Sequence, residues 1–71
     1  MTYFVVEAAT SSAGTAKAVT EKASYNEASM LYHQTMASML ANESVTEGIC
    51  TVIDQNGTQV YELTSHFMRE V

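Results

Sequence analysis

The chain reads as an α+β domain of order β-β-α-β-β, an antiparallel four-stranded sheet with one helix packed across it. Three observations predict this. One long helical segment opens on a capping signal, two strand-like runs precede it, and two more follow it around a tight-turn sequence. At 71 residues the chain is a single domain near the lower size limit for independent folding.

Tyr3–Ala9 (YFVVEAA) is rich in aromatic and β-branched residues and is predicted as the first strand. Thr10–Thr15 (TSSAGT) is a polar, glycine-containing connection. Lys17–Lys22 (KAVTEK) is a weaker second strand whose charges suit an exposed edge. Ser24-Tyr25-Asn26-Glu27 then forms a capping box: the Ser hydroxyl accepts from the third backbone N–H, and Glu27 reaches back to Ser24. Ala, Leu and Met fill the helix that follows, and Asn42 is expected to end it in the left-handed conformation. Gly48–Ile53 and Thr58–Leu63 flank Asp54-Gln55-Asn56-Gly57, a hairpin turn with Gly57 supplying positive φ. Pairing Asp54 with Thr58 sets Val52 opposite Val60. Strict alternation then puts Ile49, Thr51 and Ile53 on the other side with Tyr61 and Leu63. The tail Ser65–Val71 (SHFMREV) has no clear period and reads as a short extension or an arm.

The helix is unusual in its charge. Between Ala28 and Asn42 there is no Lys, Arg, Asp or Glu, whereas a surface helix normally pairs an apolar stripe with a charged face. At about 100° per residue, Tyr25, Ala28, Tyr32, Thr35, Met36 and Met39 fall on one side. Met30, His33, Gln34, Ala37 and Ala41 fall on the other. A one-helix domain covers one side of its helix, so the second side is expected to meet a partner. Ala37 and Ala41, small and one turn apart, let another backbone approach, so Met30, Ala37 and Ala41 are the expected interface of a homo-oligomer. A charge introduced at Ala37 or Ala41 is expected to break that seam. His33, Gln34 and Met30 are the expected binding residues, the first two supplying directed hydrogen bonds beside an apolar cleft. The open sheet face around Val52 and Val60 is the next candidate.

Composition narrows the function further. Eight acidic against three basic residues give a net charge of −5, and three cations cannot track a nucleic-acid backbone. The acids are dispersed, as solubility requires, and a small anionic or polar ligand remains compatible with the charge. No basic, apolar leader opens the sequence and nothing approaches the length of a membrane span. The single Cys50 makes no disulfide within the chain and fits a reducing compartment. Cys50, His33 and His66 lack paired metal-ligand spacing, so no metal is expected. Cys50 with His33 and Asp54 has no catalytic signature, and a cysteine within an apolar strand acts as a small hydrophobe. Only Gly14, Gly48 and Gly57 are available, in no phosphate-loop order. No catalytic residue and no cofactor are expected.

The run His33-Gln-Thr-Met-Ala-Ser-Met-Leu-Ala-Asn42, followed by Cys50-Thr-Val-Ile-Asp54 and Gly57, resembles a group of short uncharacterised proteins encoded in bacteriophage and prophage genomes. The resemblance covers most of residues 17–62. It implies expression in the cytoplasm of an infected bacterial host. The expected function is then that of a small, non-enzymatic, oligomeric accessory protein that binds and neutralises a host factor. That factor is either a host protein or a small signalling molecule, as in counter-defence. The alternative is a structural or assembly component of the phage particle.

Overall fold

The computed structural model describes residues 1–69. Five elements follow in the expected order: β1 (Tyr3–Ser11), β2 (Gly14–Lys22), α1 (Tyr25–Ala41), β3 (Glu47–Asp54) and β4 (Gln59–Met68). The strands form one antiparallel sheet with spatial order β2-β1-β3-β4. Helix α1 lies on one face, and its Ala28, Tyr32 and Met39 close on Val5 of β1, Cys50 and Val52 of β3, and Leu63 of β4. The opposite face carries no second layer. The result is an elongated body of 39 × 18 × 16 Å.

Local chemistry explains each boundary. The first connection shrinks to Ser12 and Ala13, because Thr10 pairs with Thr15 and Ser11 with Gly14, and β2 begins at Gly14 rather than Lys17. Gly14 adopts φ +121°, which a Cβ would strain. Ser24 caps α1 from an extended conformation, its Oγ accepting from the Glu27 N–H at 3.2 Å. The return bond of the capping box differs from expectation: the Glu27 carboxylate accepts from the N–H of Ala23, at 3.2 Å, instead of Ser24. Asn42 ends the helix, but in an extended conformation (φ −92°, ψ 102°) and not in the left-handed one. Its N–H still reaches back to Ser38 and Met39 carbonyls, and its Oδ1 accepts from the Ser44 N–H. An Asx turn thus replaces the glycine-like cap. The β3–β4 turn follows the sequence closely. Asp54 Oδ1 accepts from the N–H groups of Asn56 and Thr58, at 2.9 and 3.0 Å, and Gly57 sits at φ +82°.

Beyond that turn β4 departs from strict alternation. Val52 pairs with Val60 as expected, but Thr51 pairs with Thr64, leaving Tyr61, Glu62 and Leu63 without partners on β3. A bulge with an odd number of extra residues reverses which side chains face inward. Leu63 therefore turns into the core under α1, although alternation assigns it to the side of Ile49 and Ile53. Tyr61 points to solvent. After the reversal Ser65 and Phe67 also face the helix. The Tyr32 hydroxyl hydrogen-bonds Ser65, and Phe67 packs over Gly48, where a Cβ would stand 2.6 Å from its ring. Ser65–Met68, read from sequence as extension or arm, is the second half of β4. The last two residues of that tail lie outside the described residues.

Candidate functional site

Between Ala28 and Ala41 the outward surface of α1 carries no charged side chain of its own, although Lys22 and Glu27 border Met30 and Arg69 reaches the Leu40 carbonyl. Met30 is 63% exposed and Leu40 51%, with His33, Gln34, Ala37 and Ala41 exposed among them. Inward-facing Tyr25, Ala28, Tyr32, Met36 and Met39 match the expected side. Tyr25 stands edge-on to Tyr3 with centroids 5.9 Å apart, and its hydroxyl donates to Glu62 of β4. Ala37 and Ala41 lie on the outer surface of the helix, open to a partner.

The helix does not cover the sheet evenly. It spans the middle strands and leaves Ala16 and Ala18 on the helix-side face of β2 exposed, so a trough runs between α1 and the β1–β2 hairpin. Four hollows line it. At one end Lys22, Glu27, Met30, Leu31 and Gln34 bound about 150 Å³. Next, Glu7, Gln34, Thr35, Ser38 and Met39 bound about 230 Å³. Glu7 also floors a third hollow of about 200 Å³, walled by Ala9, Ala16 and Ala18. At the far end the chain after the helix (Asn42, Ser44, Val45) faces the β1–β2 turn across about 380 Å³.

The structure brings Met30 and Gln34 together at the edge of this trough, and places His33, beside Met30 on the helix surface, on the flank away from Gln34. Adjacent helix residues point about 100° apart, so neighbours in sequence are not neighbours on the surface. His33 projects from the other flank, its ring edge-on to that of Tyr32 with centroids 5.0 Å apart. The expected His33–Gln34 pair is therefore not one site. The expected second candidate also moves: Val52 is fully buried and Val60 packs against the same core beneath α1. The bare sheet face belongs instead to Phe4, Val6, Ile49, Thr51 and Ile53. The half-buried Glu7, shared by two hollows, was missed. Alternation with Tyr3, Val5 and Ala9 places it on the core face, and a lone acid in that apolar row was the available signal.

Cys50 is enclosed beneath α1, and burial first, then the Glu7 charge, pushes its thiol up to about 11. His33 stands on the exposed helix flank, so the two form no nucleophile–base pair. The thiol stays protonated at neutral pH and meets no solvent. Above pH 9 the unfolded thiol ionises before the folded one, so this contribution to stability is lost as pH rises towards 11. Cys50→Ala is expected to keep binding and assembly intact while lowering stability by about 1 kcal/mol. In native protein at pH 7.5 (about one unit below the free thiol's pKa), Cys50 should resist a thiol-alkylating reagent. Rapid alkylation followed in an intact-mass experiment would refute this placement.

Among the described residues no three His, Cys, Asp or Glu side chains converge as metal ligands, and no helix is long and apolar enough to cross a membrane. No protein-family model, curated protein or solved structure matches the chain.

Proposed function

We propose that this chain is a non-enzymatic binding protein that self-associates and neutralises a host factor in the cytoplasm of an infected bacterial cell. The observation that carries this reading is the trough between α1 and β2. It offers Gln34, Thr35 and Ser38 as directed hydrogen-bonding groups beside the apolar Met30, Leu31 and Met39, with Glu7 on its floor. A few oriented polar groups in an otherwise apolar recess are what a small polar molecule, or one inserted side chain of a host protein, requires. Their position on a helix holds them more rigidly than a loop would. The charge-free outer helix beside the trough extends the contact to a larger partner or to another subunit.

The test is purification of tagged chain from the bacterial host, followed by mass spectrometry of both the released small molecules and the bound proteins. A molecule or protein bound in stoichiometric amount is expected. Gln34→Ala should weaken its retention at least tenfold with assembly unchanged, and His33→Ala, on the other flank, should weaken it less. Normal retention by Gln34→Ala would remove the trough from the reading. Stoichiometric presence of the chain in purified phage particles would replace the reading by a structural or assembly role.

A further inference from the structure

The sheet face turned away from α1 is a four-by-four grid fixed by the strand registers. Across β2, β1, β3 and β4 its rows read Thr15-Thr10-Glu47-Met68, Lys17-Ala8-Ile49-His66, Val19-Val6-Thr51-Thr64 and Glu21-Phe4-Ile53-Gln59. The centre is apolar: Phe4, Val6, Ala8, Ile49 and Ile53. Most polar groups of the grid are already paired within the chain. Thr51 and Thr64 hydroxyls bond each other at 2.8 Å and both accept from Gln59 Nε2; Thr10 bonds Thr15 at 3.0 Å. Covering them therefore strands few donors or acceptors. The one ion pair among the described residues, His66 Nε2 to Glu47 Oε2 at 2.9 Å, lies towards the β4 edge of this face. Lys17 lies at the β2 edge.

We infer that a second copy of this chain covers this face, in a two-fold sandwich whose axis runs along the strands between β1 and β3. The inference rests on the self-association in the proposed function and names its surface. That axis lays β2 over the partner's β4 and β1 over the partner's β3, keeping each row opposite itself. Ala8 then faces Ile49 of the partner subunit, Val6 faces Thr51 of the partner subunit, and Phe4 faces Ile53 of the partner subunit, so the apolar centres of the two faces cover each other. Lys17 falls over His66 of the partner subunit, with Glu47 of the partner subunit one row and one strand away and within reach of the lysine side chain, and the same contact repeats at the other edge. The alternative in-plane axis, across the strands, would press Glu47 onto Ile53 and bury a carboxylate on hydrocarbon. Aligned sheets pack with a rotation of about 30°, within the reach of a lysine side chain. Four strands about 4.8 Å apart and rows spanning about 25 Å give a flat footprint of roughly 500 Å². Side-chain relief adds to it, bringing it to the scale of a small specific interface, about 600 Å² per partner.

Charge reversal on the purified full-length chain tests this, read by sedimentation across concentration with circular dichroism as the folding control. The wild type is expected to dimerise at micromolar concentration, more weakly in high salt. Lys17→Glu and Glu47→Lys should each weaken the dimer at least tenfold. Mixing the two variants should restore it, because in the mixed dimer both edge contacts are again of opposite charge. Failure of the mixture to recover overturns the proposal. So does an assembly dissociated by Ala37→Glu or Ala41→Glu but untouched by Lys17→Glu, which would put self-association on the helix and leave the binding reading standing. A monomeric wild type would leave the face to another partner and would remove both the sandwich and the self-association.

Discussion

Leu63→Ala is expected to lower the unfolding free energy by about 3 kcal/mol. A domain of 71 residues has roughly 4–10 kcal/mol in total, so the variant should lose about a third or more of its stability. Leu63, 3% exposed, is the buried side chain that β4 supplies to the core, and it reaches the core because of the bulge. Removing it opens a cavity where the helix, β3 and β4 meet. Equilibrium urea unfolding measures the loss, with Tyr61→Ala as the comparison, since Tyr61 is 80% exposed two residues earlier and should change stability by less than about 0.5 kcal/mol. Equal losses in the two variants would show that the reversed facing of β4 is incorrect.

Arg69→Ala should cost about 2 kcal/mol and loosen the end of the helix before the rest of the domain. Helix α1 has no basic residue in its last turn, so its terminal carbonyls and dipole are unmet from within. Arg69 meets them from the end of β4. Its guanidinium donates to the carbonyls of Asn42 at 2.6 Å, Val45 at 2.8 Å and Leu40, and lies over the Phe67 ring. Its own N–H donates to the Thr46 carbonyl at 2.7 Å. Hydrogen exchange at Asn42 and Val45 should accelerate in the variant at a denaturant concentration where Val5 and Val52 remain protected. Arg69→Lys should recover only part of the loss, because one ammonium cannot span three carbonyls. Uniform acceleration across the sheet would mean that Arg69 supports the whole domain instead of the helix end.

What could be read from sequence was local in origin. Ser24, the Asp54–Gly57 turn and the Val52–Val60 pairing each depend on residues within a few positions of one another, and each took its expected place. The element order followed from them. The missed features depend on residues far apart in the chain. No periodicity reports that β4 skips three residues to bring Leu63 under Tyr32, or that Phe67 fills the space above Gly48. Nor does a helical wheel show where the sheet lies, so it could not reveal that Gln34 borders β2 while His33 faces away. The lack of charge on the helix is a signal that sequence carries directly; Glu7 stands out only as a lone acid in the apolar alternation of β1, and its place between α1 and β2 depends on the packed sheet.

The interruption in β4 also governs how the molecule behaves among its own kind at high concentration. An unbroken outer strand of that length offers a continuous ladder onto which sheet after sheet can add, the route to fibres. Here the register breaks between Val60 and Thr64, so an incoming strand meets two short ladders out of step. At the other margin, β2 places Lys17, Glu21 and Lys22 along the border. Both borders of the sheet thus resist open-ended growth, and a two-fold contact through a face, as proposed above, would close on itself and stop.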